Sequence, residues 1–110
     1  MPSPLLSVKK KRDFKKVFSK GKFSAGPLFV VYAFKTGESG SRLGISVSKK
    51  VGGAVVRNRV KRLIREACRL MNIAGGYDLV ITARPASGKP VATFSAVNDA
   101  LQKQINKLGI

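Results

Sequence analysis

The chain has 110 residues, of which 44% are hydrophobic, and its 22 Lys and Arg against 5 Asp and Glu leave a formal net charge of +17. That length suits one compact domain spanning residues 1–110, and the apolar content excludes a disordered polycation, which could not offset the entropy of ordering. An excess of one sign opposes folding by self-repulsion, so an anionic partner is expected, and a nucleic acid is the anion that fits.

At the N-terminus, MPSPLLSVKKKR places its charges after a small apolar patch, the reverse of a secretory signal. The longest apolar run, Leu28 to Phe34, is far too short to cross a bilayer, so no membrane partner is expected. A single cysteine, Cys68, has no partner for an internal disulfide, which fits a reducing, cytoplasmic setting.

The first predicted element is a short helix, Lys9 to Lys20, with Phe14, Val17 and Phe18 on one face and Gly21 to stop it. Leu28 to Lys35 follows as a strand by its β-branched and aromatic content. Leu28, Val30, Tyr32 and Phe34 share one face, Phe29, Val31 and Ala33 the other, and both faces are expected to be covered. Turn chemistry from Thr36 to Ser41 leads into a strand in which Leu43, Ile45 and Val47 alternate with Gly44, Ser46 and Ser48, predicting an antiparallel hairpin. Gly52 and Gly53 precede a basic helix, about Ala54 to Met71, which Ala74-Gly75-Gly76 ends. Asp78 to Ala83 is a further strand closed by Arg84-Pro85, and a loop, Ala86 to Pro90, comes next. Thr93 to Leu108 carries Phe94, Val97, Leu101, Ile105 and Leu108 at helical spacing. The pattern describes an α/β (α+β) two-layer sandwich, a small mixed sheet covered by helices.

The basic helix carries the strongest functional signal. With Arg57 at zero and about 100° per residue, Lys61, Arg65, Asn58, Arg69 and Arg62 occupy roughly the next 140°, and Arg59 lies just beyond. Val60, Leu63, Ile64, Ala67 and Met71 fill the remaining arc. One side is built for the sheet and the other is a broad cationic face, which excludes a disordered basic tail. An ordinary solvated face mixes signs to gain i,i+4 pairs, whereas this one holds only Glu66. Arg predominates, and its planar fork suits phosphate and base edges. Lys49 and Lys50 extend the patch toward the helix N-terminus, where the dipole also favours anions.

Phe14 and Phe18 fit a packed core, and they equally fit a cleft with Tyr32 in which bases stack while lysines hold the backbone. Composition does not decide between the two. Cys68 reads as a small buried hydrophobe. There is no histidine, and the acids Asp13, Glu38, Glu66, Asp78 and Asp99 are scattered, so general acid/base chemistry is poorly supplied and no catalytic residue is assigned. No metal site is assigned either, and Ser87-Gly88-Lys89 lacks the rest of a P-loop.

Two long stretches now carry a resemblance. Ser46-Val47-Ser48-Lys49-Lys50-Val51-Gly52 followed by Ala54 to Glu66 closely resembles the signature of the bacterial ribonuclease P protein subunit, including its RNR motif, here Arg57-Asn58-Arg59. Asp13 to Phe18 with Gly21, Leu28 to Phe34, and Asp78 to Pro85 are similar to that family's N-terminal helix, aromatic strand and late strand. Arg12 stands where the family has an acid, and Cys68 where its members often carry a larger apolar residue.

The resemblance implies an element order αβββαβα and a left-handed βαβ crossover holding the motif helix, an exception to the usual right-handed rule. It implies that the catalyst is an RNA that removes the 5' leader of precursor tRNA, with divalent metal ions, Mg, in the RNA holoenzyme and no cofactor bound by the protein alone. Carried over by position, Lys49, Lys50, Arg57, Asn58, Arg59, Lys61, Arg62 and Arg65 would face the catalytic RNA, ribonuclease P RNA. Phe14, Lys15, Phe18 and Tyr32 would face the leader, which moves the aromatics from mainly core to partly ligand-facing. No obligate protein partner is expected. Two other classes compete with this assignment: a ribosomal or other structural RNA-binding protein, and a protein nuclease.

Overall fold

The structure, a computed structural model, describes residues 6–8, 10–38, 40–71, 73, 75–88 and 93–110. The predicted features at Lys9, Ser39, Ala74 and Lys89 to Pro90 lie outside the described residues. In chain order the elements are β1 (Leu6–Ser7), α1 (Lys11–Lys20), β2 (Lys22–Ala25), β3 (Phe29–Lys35), β4 (Arg42–Val47), α2 (Ala54–Leu70), β5 (Tyr77–Ala83) and α3 (Phe94–Lys107). Single 3-10 turns, Lys49–Val51 and Pro85–Gly88, precede α2 and follow β5. After the two-residue β1, this is the expected order αβββαβα in a mixed α+β fold.

The sheet order is β1-β4-β5-β3-β2. The expected hairpin between β3 and β4 does not form: β5 lies between them, antiparallel to β3 and parallel to β4. The chain reverses between β3 and β4 without pairing them, and β5 pairs with each of them instead. The actual hairpin is β2–β3, with Phe23 opposite Tyr32. Its turn is clamped from α3, where buried Gln104 donates through Nε2 to the carbonyls of Ser24 at 2.6 Å and Phe29 at 2.9 Å.

One face of the sheet packs on α2 and α3. Phe29, Val31, Ala33, Leu43, Leu79 and Ile81 meet Val60, Leu63, Ile64, Ala67 and Leu101 in one buried cluster, each large aliphatic or aromatic side chain there contributing on the order of 1.5–3 kcal/mol by leaving water. Cys68 belongs to the same cluster, as expected. Thr93 caps α3 by accepting from the Ala96 N–H.

The opposite face is only partly covered, contrary to the expectation that β3 is enclosed on both sides: Phe29, Val31 and Ala33 are buried, but Val30, Tyr32 and Phe34 are half-exposed. A single short helix, α1, crosses this face, which leaves a cleft. It runs from the β4 edge, where Asp13 reaches Arg42, to β3, where Phe18 meets Tyr32, and buries Val17 on the way. Gly21 ends α1 in an extended conformation; a Cβ there would lie 2.6 Å from the Val17 carbonyl oxygen and 2.7 Å from that of Ala33. Close approach of helix end to strand, not backbone freedom, requires the glycine.

Candidate RNA interface

Across the α1 face, residues stand in rows set by strand register. Phe34, Asp78 and Arg42 form one row, Tyr32, Val80 and Gly44 the next, and Val30, Thr82 and Ser46 the third. The first row anchors α1. Arg42 donates through Nε and Nη2 to both oxygens of the buried Asp78 carboxylate, and through Nη1 to Asp13 at 3.4 Å. The hydrogen bonding that Arg42 donates to Asp78 is the main reason the Arg42 pKa is raised. Two of the acids that look scattered in sequence are thus joined by one arginine. Lys16 of α1 adds a cation over the Phe34 ring, 5.6 Å from its centroid.

The middle row carries the aromatics. Phe18 stacks edge-on to Tyr32 with centroids 4.8 Å apart and is 42% exposed, so it is both packed and available. Phe14 lies 6.4 Å from Phe18 on the same helix. It occupies space that Gly44 leaves open, since a Cβ on Gly44 would come within 2.8 Å of the Phe14 ring. Lys15 is exposed on the same helix. The structure therefore brings Phe14, Phe18 and Tyr32 together. Sequence reasoning missed Phe23, which is 65% exposed on β2 with its ring 6.0 Å from Tyr32. In the third row, the Thr82 hydroxyl is shielded and has no hydrogen-bond partner among the described residues.

On α2 the expected division into two sides holds. Val60, Leu63, Ile64, Ala67 and Cys68 are buried, whereas Asn58, Arg59, Arg62, Arg65 and Arg69 are exposed. Arg57 departs from this arc: it sits at the seam, half-buried, and its Nε lacks a partner among the described residues. Lys49 and Lys50 are exposed in the 3-10 turn ahead of the helix, whose first turn has no acid and no side-chain cap. Its free N–H groups and dipole add to the cationic field.

A cavity of about 580 Å³ opens at the outer edge of β4. Its walls come from Val8, Leu43, Gly44 and Ile45, from Phe14 on one side, and from Lys61, Arg62, Arg65, Glu66 and Arg69 on the other. The two residue sets that sequence kept apart, aromatic and basic, therefore meet around a single strand edge. Among the described residues no group of three His, Cys, Asp or Glu side chains lies close enough to hold a metal ion. No helix among them is long and apolar enough to cross a membrane.

The family model for Ribonuclease P matches residues 4–109. The chain is 44% identical over 108 residues to the ribonuclease P protein component of Clostridium kluyveri, covering 94% of each chain. Among solved structures it is similar to a Staphylococcus aureus RNase P protein mutant with defective mRNA degradation activity, with TM-score 0.85 and 35% identity over 94% of this chain and 87% of that one. The Thermotoga maritima RNase P protein gives TM-score 0.80 at 35% identity, over 88% of this chain and 92% of that one. The fold agrees with these matches, and the chain belongs to the ribonuclease P protein family.

Proposed function

We propose that the chain is the protein subunit of ribonuclease P, which removes the 5' leader from precursor tRNA, and that it binds the catalytic RNA through α2 and the leader through the α1 cleft. The observation that carries this is the cavity at the β4 edge, where Phe14 faces Lys61, Arg62 and Arg65. A single strand leaving the cleft at Phe14 passes directly onto the cationic face. The exposed arginines of α2 and Lys49 and Lys50 neutralise phosphates, which lowers repulsion between two polyanions and with it the demand for divalent counterions. Phe14, Phe18 and Tyr32 offer faces on which leader bases stack, and Lys15 holds the backbone.

Hydrolysis is assigned to the RNA, consistent with a chain that has no histidine. No step is assigned to a metal held by the protein. Because mature tRNA lacks the leader, the cleft binds substrate more tightly than product and lets product leave. A ribosomal or other structural RNA-binding role is not favoured, since the family match spans nearly the whole chain. The assignment places the chain in the cytoplasm with its RNA partner.

The test is cleavage of precursor tRNA by the protein alone, by ribonuclease P RNA alone, and by the two combined at low divalent ion concentration. Cleavage is expected with the combination and not with the protein alone. Cleavage by protein freed of RNA would contradict the assignment.

A further inference from the structure

Phe23 is the most exposed aromatic ring identified on the leader face. It is 65% exposed on an edge strand, although its strand is firmly held: β2 pairs with β3 over four residues, and Gln104 fixes the turn between them. A rigid, exposed phenyl ring is costly in water and contributes little to the core. Register places it directly across from Tyr32, on the same side of the sheet, and the rings lie 6.0 Å apart at 36°. The rings therefore form an unbroken row, Phe14, Phe18, Tyr32, Phe23, running from the cationic cavity, past the end of α1, to the far edge of the sheet.

Resting on the leader-cleft assignment, we propose that Phe23 is an additional stacking platform that takes a leader nucleotide farther from the cleavage site than those at Phe14 and Phe18. Direction follows from the row itself. Phe14 shares a cavity with the α2 cations assigned to the catalytic RNA, so the scissile end of the leader lies there and the distal end lies at Phe23. Charge favours a polyanion over a second copy of this chain as occupant, because Lys20 at the end of α1 stands three residues before Phe23 and two chains of +17 repel. Base–aromatic stacking tolerates any base, so the platform measures leader length more than sequence.

The experiment uses the protein reconstituted with ribonuclease P RNA and precursor tRNAs whose leaders grow one nucleotide at a time. The native chain is expected to gain affinity in steps, and Phe23→Ala to lose only the last step, roughly 5- to 150-fold for one stacked base. Shorter leaders and mature tRNA should bind it as they bind the native protein, and Phe23→Trp should keep the step. Affinities for Phe23→Ala that track the native protein at every length, while Phe18→Ala loses its precursor preference, would overturn this inference and leave the leader cleft standing. No loss with either variant would overturn both. An equal loss for all leaders and for mature tRNA, or a change confined to self-association, would also overturn it.

Discussion

Arg42 grips the buried carboxylate of Asp78 with two hydrogen bonds and extends its third nitrogen to Asp13 on α1. The fork spans strand β4 to strand β5, and the longer contact ties the leader-face helix to the sheet. Arg42→Ala leaves an uncompensated, nearly buried Asp78 carboxylate, and a destabilisation of about 3 kcal/mol is expected, measured as the denaturant midpoint shift. Arg42→Lys should recover only part, because an ammonium cannot make the planar fork. Asp13→Asn should cost much less stability while loosening α1, seen as faster amide exchange in that helix. A loss for Asp13→Asn equal to that for Arg42→Ala would show that the two carboxylates are equivalent.

Gly21 ends α1 and Gly44 lies beneath it, and the structure predicts opposite outcomes for filling them. In Gly21→Ala the new methyl meets two backbone carbonyl oxygens that cannot yield, so stability should fall by about 1 to 3 kcal/mol. In Gly44→Ala it meets the far end of the Phe14 ring, which can swing aside. That variant should remain folded but bind precursor tRNA less tightly. Thermal unfolding and precursor affinity, measured side by side, separate the two.

Much of this was legible from periodicity. The α2 pattern is strong because seventeen residues bear apolar groups at helical spacing on one side, and the aromatic strand β3 announced itself by composition. The strand pairing was not legible, because β3 and β5 are both mainly apolar, Asp78 and Thr82 apart, and adjacency along the chain favours a β3–β4 hairpin. Only the tertiary placement of β5 decides it. Strand β2, Lys22–Ala25, was missed because four residues with one aromatic show no alternation; its pairing with β3 and the Gln104 clamp make it a strand. The Asp13, Arg42, Asp78 cluster joins residues so far apart in sequence that no local spacing reveals it. Phe23 carried the weak signal of an aromatic among lysines, which gains meaning only once Tyr32 stands opposite.

Cys68 offers a pH test. Burial pushes its thiol up from 9.0 to about 12. The folded chain thus keeps the proton that the unfolded chain gives up, so the stability linked to this group is full below pH 9.0 and is lost as pH rises toward about 12. Cys68→Ala should cost about 1 kcal/mol at neutral pH through a small cavity. Its denaturant midpoint should fall less steeply than that of the native chain between pH 9 and 11. Parallel curves would show that the thiol does not contribute. At neutral pH the native thiol should resist alkylation until the chain unfolds.

Arg62 and Arg65 project from α2 into the cavity shared with Phe14. Arg62→Glu and Arg65→Glu are expected to leave the fold intact and to weaken assembly with the catalytic RNA. Each should lower the magnitude of the slope of log affinity against log salt by about 1. An unchanged slope would remove these residues from the RNA interface.

The central claim, that one face of this chain holds the catalytic RNA while the α1 cleft recognises the leader, is tested most directly by competition between precursor and mature tRNA for the reconstituted complex. The native protein should favour precursor, and Phe18→Ala should shrink that preference by about 1 to 3 kcal/mol through precursor affinity alone. Equal affinity of the native complex for precursor and mature tRNA would contradict the account.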